Sequence, residues 1–170
     1  MAIVLRTIKS QLELLDISAN VIDLFSICFP GRKLEYNVWK WAYILNPFGE
    51  PCVSVAYDEN RMIGHYATIP INLVNAHGDK LISHLSMTTM IHKRYTKYGL
   101  FQKLADLTYD SIKSLGVDLV YGFPNKSSKP GFTKRLSWNI SEMRLMHFMS
   151  KSDFVKTNQY RSFYSEFSIC

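Results

Sequence analysis

The chain has 170 residues, of which 47% are hydrophobic and 14% aromatic, enough apolar material for one domain with its own core. Only 20% of the residues are charged and no Pro-, Ser- or Gln-rich tract occurs, which argues against a disordered or low-complexity protein. A formal net charge of +6 favours polyanionic partners, without choosing between nucleic acid, an anionic membrane and a phosphorylated cofactor.

The cysteines and the apolar segments narrow the class of protein further. Cys28, Cys52 and Cys170 are odd in number, widely spaced and without a CxxC pair, so neither a disulfide framework nor a zinc site is predicted. Charged residues interrupt the apolar N-terminal segment, and no run of about 18 apolar residues follows. We therefore expect a cytoplasmic protein that holds no metal and does not enter a membrane.

The first part of the chain predicts one strand and two helices. Ile3–Ile8 is short and β-branched, which favours a strand. An amphipathic helix is predicted from about Ser18 to the breaker Pro30, and a second helix over residues 34–45. The first of these helices shows one apolar face, formed by Val21, Ile22, Phe25 and Phe29.

The hydrophobic period then changes to that of strands. Residues 52–57 and 62–74 predict two strands joined by a tight polar turn, and residues 80–91 predict a third antiparallel strand. Residues 100–115 show apolar side chains at helical spacing, with Gly116 as the C-terminal cap.

The last part of the chain alternates strand and helix. Residues 117–123 are almost wholly apolar, which predicts a strand buried in the middle of the sheet. A short helix is predicted over residues 130–136, and strands over residues 138–149 and 159–167. The expected order is therefore β-α-α-β-β-β-α-β-α-β-β.

A basic loop joins the third antiparallel strand to the helix at residue 100. His92, Lys93, Arg94 and Lys97 lie in this loop, and a second basic cluster contains Lys126, Lys129, Lys134 and Arg135. A helix N-terminus offers unpaired N–H groups and a positive dipole end, and Gly99 allows close approach, so the loop could bind phosphate. A solvated surface turn is the alternative.

The same loop resembles the cofactor segment of the GNAT acetyltransferase family, which reads roughly Arg/Gln-x-x-Gly-x-Gly/Ala. A bacterial subset has a pattern like His-Pro-x-Tyr-Arg-Gly-x-Gly-Leu-Phe. His92, Tyr95, Gly99, Leu100 and Phe101 match that pattern, whereas Lys93, Thr96 and Lys97 depart from it.

The resemblance extends over about residues 20–140. Its N-terminal half includes Trp39 and Trp41 with residues 46–49, followed by residues 63–67. Its later half includes residues 121–125 and 132–138. The resemblance implies an α/β (mixed α+β) fold, with a mostly antiparallel central sheet, a splayed central strand pair and helices on both faces. Residues 1–170 would form one acyl-CoA-binding domain, which could also be half of a tandem pair or a subunit of a homodimer.

The resemblance further implies acetyl-CoA or another acyl-CoA as cofactor. The loop would bind the pyrophosphate through backbone N–H groups, and the preceding strand would hydrogen-bond the pantetheine arm, which Asn125 would reach from the next strand. The residues assigned to the cofactor are Thr89, Met90, Ile91, Thr96, Lys97, Tyr98, Gly99, Leu100, Phe101, Asn125 and Ser128.

In this family an amine attacks the thioester, which needs a base for the amine proton and an acid for the departing thiolate. The family's usual acid is a Tyr in a Tyr-x-Lys-x-Gly-Phe-like segment, and the nearest equivalents here are Phe132 and Thr133. Tyr121 or an ordered water would replace that acid. Thr88, beside the expected cleft, is a second catalytic candidate, although an ordinary strand residue is the favoured interpretation there.

Three functions are compatible with these observations. The first is an N-acyltransferase acting on a small amine, an amino sugar or a peptide amine. The second is a non-catalytic acyl-CoA-binding or regulatory domain, suggested by the altered loop and the missing Tyr. The third, nucleic-acid binding, rests on charge alone and is not expected, because no recognised binding pattern accompanies it. Trp39, Trp41 and Tyr43 could line an acceptor pocket or belong to the core.

Overall fold

A computed structural model describes residues 2–75 and 77–141 of the chain, and five strands form one sheet in it. The elements are β1 (Ile3–Ile8), α1 (Gln11–Asp16), α2 (Ser18–Cys28), α3 (Tyr36–Tyr43), β2 (Cys52–Asp58), β3 (Arg61–Val74), β4 (Lys80–Ile91), a 3₁₀ turn (Lys93–Tyr98), α4 (Leu100–Lys113), β5 (Leu119–Gly122) and α5 (Lys129–Arg135). The chain divides into the units Met1–Trp138 and Asn139–Cys170, and of the second only residues 139–141 are described.

The strands follow one another across the sheet in the order β1-β2-β3-β4-β5. The pairs β1–β2, β2–β3 and β3–β4 are antiparallel, as the tight turn between β2 and β3 predicted. The pair β4–β5 is parallel, because α4 crosses over between them. The sheet is therefore mixed and mostly antiparallel, which confirms the expected fold class.

Two hydrophobic cores cover the two faces of the sheet. Helices α1, α2 and α3 pack on one face, where Leu24, Trp39 and Val55 are buried together. Helix α4 and α5 pack on the other face around Leu104 and Phe132. Helices on both faces were expected, and this arrangement leaves the end of β4 between the two layers.

Helix α1 was not predicted from the sequence. Ser10 accepts a hydrogen bond from the Glu13 N–H (3.2 Å), and the Glu13 carboxylate accepts one from the Lys9 N–H (3.1 Å), which fixes the start of the helix. Leu14 is the residue that α1 buries. A helix of one and a half turns shows too little periodicity to be recognised by pattern.

The last strand differs from its prediction. β5 spans Leu119–Gly122, not residues 117–123, and it is half-buried with Leu119 exposed, where a fully buried central strand was expected. The predicted strand over residues 138–149 shows no strand in its described part, residues 138–141, and the rest of it lies outside the described residues, as does the strand predicted over residues 159–167. No helix within the described ranges is long and apolar enough to span a membrane.

Candidate active site

A cleft opens where β5 separates from β4. The two strands pair from Ser83–Leu119 to Ser86–Gly122, and no described strand pairs with β4 on that side beyond this point. β4 continues to Ile91, where it still pairs with Gly64 of β3 on its other side. Residues 87–91 of β4 therefore offer backbone groups along one open edge, within the described part of the chain. This edge carries three predicted cofactor residues, Thr89, Met90 and Ile91.

The N-terminus of α4 lies directly after the end of β4. Gly99 is its N-cap with φ +68°, and no side chain caps the helix, so the first N–H groups of α4 have no acceptor inside the helix. A Cβ at Gly99 would meet nothing within 4 Å, which means that the positive φ, and not space, favours glycine here. The predicted segment, residues 96–101, thus presents main-chain donors at the end of β4.

Two hydrogen bonds hold this loop against the sheet, and a third lies within the loop. The His92 N–H donates to the Ile63 carbonyl (2.8 Å), and His92 Nδ1 accepts from the Arg94 N–H (3.2 Å). The Tyr95 hydroxyl donates to the Asp58 carboxylate (2.7 Å), a bond that raises the pKa of Tyr95. His92 and Tyr95, which matched the family pattern, therefore shape the loop, a role that the sequence did not reveal.

Basic side chains surround the loop. Lys93, Arg94, Lys97 and Lys103 are exposed, and the two ion pairs among the described residues involve other cations, Lys33 with Glu35 and Lys113 with Asp110. The second basic cluster lies close by, because α5 packs on the start of α4: a Cβ added at Gly131 would lie 3.3 Å from the Phe101 ring. The helix that carries Lys129, Lys134 and Arg135 therefore lies beside the start of α4, and positive charge on both elements suits an anion.

The two predicted cofactor residues after β5 form the turn into α5. The Asn125 side-chain oxygen accepts hydrogen bonds from the N–H groups of Ser127 and Ser128 (both 2.9 Å). The Ser128 hydroxyl donates to the Asn125 carbonyl (3.3 Å). Both side chains thus have a local structural role, and their contacts with a cofactor stay a prediction.

The catalytic candidates have different surroundings. Tyr121 lies on β5 opposite Leu85, and partial burial raises the pKa of its hydroxyl. Thr88 lies on β4 beyond the splay, and its hydroxyl is hydrogen-bonded to the Tyr43 hydroxyl. On α5, Phe132 is buried and the Thr133 hydroxyl donates to the Lys129 carbonyl (3.0 Å), so neither residue there offers a free acid.

The three aromatic residues of α3 separate into two groups. Trp39 and Tyr43 are buried in the core and stack on each other with ring centroids 5.7 Å apart. Trp41 is 66% exposed. Since residues i and i+4 share a helix face, the core interpretation applies to the first two, and the acceptor-pocket interpretation stays open for Trp41.

His65, Tyr66 and Tyr109 form hydrogen bonds near the cleft, and the sequence analysis assigned none of them to the site. His65 donates through Nδ1 to the Thr88 carbonyl (2.9 Å), and burial lowers its pKa to about 4. On the opposite face, Ser86 donates to the Tyr66 hydroxyl (3.2 Å), which bonds to Tyr109 (2.7 Å). The sequence signal that could have identified His65 is a histidine at a strand position that faces the core. Within the described ranges, no group of three or more His, Cys, Asp or Glu residues could hold a metal ion.

Comparisons with known proteins agree with this geometry. A family model described as "Acetyltransferase (GNAT) domain" matches residues 16–141. An acetyltransferase from Trypanosoma brucei superposes with a TM-score of 0.64 at 14% identity, over 87% of this chain and 100% of the other. A glucosamine-6-phosphate N-acetyltransferase from Arabidopsis thaliana gives 0.63 at 13% identity, over 88% and 100%. A Clostridium acetobutylicum predicted acetyltransferase with acetyl-CoA gives 0.66 at 13% identity, over 86% and 96%. No curated protein sequence matches the chain.

Proposed function

Since the chain belongs to the GNAT acetyltransferase family, we propose that it transfers an acyl group from acetyl-CoA or another acyl-CoA to an amine. The observation that carries this proposal is the position of two features at the same end of β4. There, the open strand edge begins beyond the pair Ser86–Gly122, and the uncapped, basic N-terminus of α4 follows it along the chain. Together they offer a groove for an extended thioester arm and a site for its phosphates.

The cofactor would bind in two parts. Its pyrophosphate would accept hydrogen bonds from the first N–H groups of α4, in the field of the helix dipole and of Lys93 and Lys97. The amides of its pantetheine arm would pair with the open edge at Thr89, Met90 and Ile91, as an added strand does. Asn125 and Ser128 would contact the arm from the opposite side of the cleft. A few cations suffice for such a ligand, so the basic clusters need no nucleic-acid partner.

The reaction needs few protein groups. The amine nitrogen bonds to the thioester carbonyl carbon, the C–S bond breaks, the amine proton leaves to a base and the thiolate takes up a proton. Tyr121 is the proposed proton donor, because it lies on β5, the strand that borders the cleft, and its hydroxyl, whose pKa partial burial raises, is protonated at neutral pH. An ordered water is the alternative donor. A thiolate is a good leaving group, so the lack of a tyrosine at Phe132 would slow the reaction without preventing it.

We propose a small amine, an amino sugar or a peptide amine as the acceptor. The fold supports amino-sugar acetylation in the Arabidopsis glucosamine-6-phosphate enzyme, which makes that class a reasonable first choice. Trp41, exposed on α3, is a candidate acceptor contact. Cys28 and Cys52 are free thiols, which suits a cytoplasmic location. The rival proposal, a non-catalytic acyl-CoA-binding domain, is favoured by Phe132 and Thr133 at the place of the usual acid.

Two substitutions at Gly99 test the cofactor site. Gly99→Asp and Gly99→Asn both tolerate a positive φ, but only the aspartate adds negative charge at the proposed pyrophosphate position. We expect calorimetry to show acetyl-CoA affinity at least about tenfold lower for the aspartate variant than for the asparagine variant. Equal affinities for both variants would place the phosphates elsewhere.

A further inference from the structure

Two aromatic side chains at the end of β5 lie beside the cleft, on the face of the sheet that carries α3. Tyr121 pairs with Leu85 of β4, and the side chains of paired residues lie on the same face. Leu85 packs against the core under α1, α2 and α3, so Tyr121 lies on that face too. The Phe123 ring meets the Tyr121 ring edge to face at 6.2 Å, and Phe123 is 80% exposed. Both rings therefore border the cleft from the α3 side.

β4 and α3 continue this apolar surface. Met87, the first residue of β4 beyond its last pair with β5, is half-buried and packs against the same core as Leu85. β4 then bulges at Thr88, whose hydroxyl is hydrogen-bonded to the Tyr43 hydroxyl of α3. The end of α3 thus reaches β4 at the cleft. On this face Leu85 and Met87 form an apolar floor beside the rings of β5.

The acceptor amine would approach the cleft from this face. The N-terminus of α4, the proposed phosphate site, belongs to a helix that packs on the opposite face, around Leu104. An extended arm that starts there and follows the open edge of β4 from Ile91 brings its thioester to Met87. The cofactor then occupies the α4 side of the cleft, which leaves the α3 side for the amine.

The side chains on this face restrict the kind of amine. β4, β5 and α3 contain no Asp or Glu, and their lysines are Lys40 and Lys80. An acceptor with several ammonium groups would have to leave water without a carboxylate to pair with them, which costs free energy. Sugar hydroxyl groups would find no hydrogen-bond partner on the side chains of Leu85, Met87 and Phe123. A monoamine with an apolar body avoids both costs, because its nitrogen must be neutral to attack and apolar surroundings favour the neutral form.

We propose that the acceptor is a monoamine with an apolar, aromatic body, which packs against the Phe123 ring above Leu85 and Met87. This inference rests on the proposed function and narrows its acceptor classes to small apolar amines, in place of the amino sugars that fold similarity put first. Aromatic rings pair edge to face or offset, and methionine sulfur contacts them favourably, so this surface suits an aryl group. Phe123 then selects the acceptor, since most of its ring is available for contact.

The test compares three amines on the same enzyme preparation, so that losses of folded or loaded enzyme cancel in the ratios. At saturating acetyl-CoA, kcat/KM is measured by thiol release for phenethylamine, for ethylamine, which lacks the ring, and for glucosamine-6-phosphate. For the parent we expect phenethylamine to be preferred at least about tenfold over each of the other two.

Substitutions at Phe123 test whether its ring causes the preference. Phe123→Ser should lower the preference for phenethylamine over ethylamine about tenfold, through the KM of phenethylamine, whereas Phe123→Tyr keeps a ring and should retain it. Leu12→Ser removes a similarly exposed side chain (75%) on α1 and should leave the preference unchanged. The acetyl-CoA dissociation constants of all variants should stay within about threefold of the parent's.

The outcomes separate the acceptor class from the function on which it rests. A parent that acetylates ethylamine or glucosamine-6-phosphate at least as well as phenethylamine overturns the acceptor class and leaves acyl transfer intact. An unchanged preference in Phe123→Ser overturns the role of Phe123, and a lowered melting temperature in that case shows that the ring packs within the folded protein instead. A parent that acetylates none of the three amines overturns the inference, and if it also fails to bind acetyl-CoA, the proposed function is overturned as well.

Discussion

Acidification should destabilise the fold through His65. Burial lowers the pKa of this side chain from 6.5 to about 4, because the charged imidazolium would lie in the core without water. Between these two pH values the unfolded chain binds a proton that the folded chain does not, so the free energy of unfolding falls as the pH falls. At 1.36 kcal/mol per pH unit, the loss attributable to His65 amounts to about 3 kcal/mol, complete near pH 4.

Urea unfolding of the parent and of His65→Asn, from about pH 7 to about pH 4, measures this contribution. Asparagine keeps an N–H that can donate to the Thr88 carbonyl, but it does not titrate. Subtracting one curve from the other cancels the pH dependence that both proteins share. This includes the contributions of the carboxylates and of His84 and His92, whose pKa values burial also lowers. The parent should lose about 3 kcal/mol more than the variant. Parallel curves would refute the assignment of a buried, neutral His65.

Two further predictions concern the cleft. Asn125→Ala should raise the acetyl-CoA dissociation constant about tenfold, measured by calorimetry. Asn125→Ser, which can still accept the two N–H bonds, controls for the loss of the turn. Thr133→Val should leave turnover nearly unchanged, because the Thr133 hydroxyl only bonds to its own helix. Trp39→Ala should lower the free energy of unfolding in urea by about 3–5 kcal/mol and Trp41→Ala by less than about 0.5 kcal/mol, because only Trp39 is buried. Equal destabilisation would contradict the two environments. A fall in turnover for Trp41→Ala alone would identify an acceptor contact.

Much of the fold was predictable from local patterns. The bounds of β1 and β4 agree with the sequence prediction, because β-branched and alternating residues end there at polar turns. The prediction of a fully buried strand over residues 117–123 was wrong, because an apolar stretch alone does not distinguish a central strand from a short, half-exposed one. The family resemblance supplied the overall topology, which residue patterns alone do not determine.

The candidate site was only partly predictable. The loop at Gly99 carried a recognisable pattern and a physical reason for binding anions. The bulge of β4 at Thr88 carried neither, because a bulge depends on the pairing register of two strands, and nothing local to Thr88 indicates a positive φ. The separation of Trp39 and Tyr43 from Trp41 could have been read from helical spacing.

Acceptor-dependent release of free thiol from acetyl-CoA, over a panel of amino sugars, small amines and peptide amines, tests acyl transfer directly. The parent and Gly99→Asn should release thiol with at least one amine, and Gly99→Asp should lower kcat/KM for acetyl-CoA at least about tenfold. Tight acetyl-CoA binding by the parent without release of thiol for any amine would contradict acyl transfer and favour a non-catalytic acyl-CoA-binding domain.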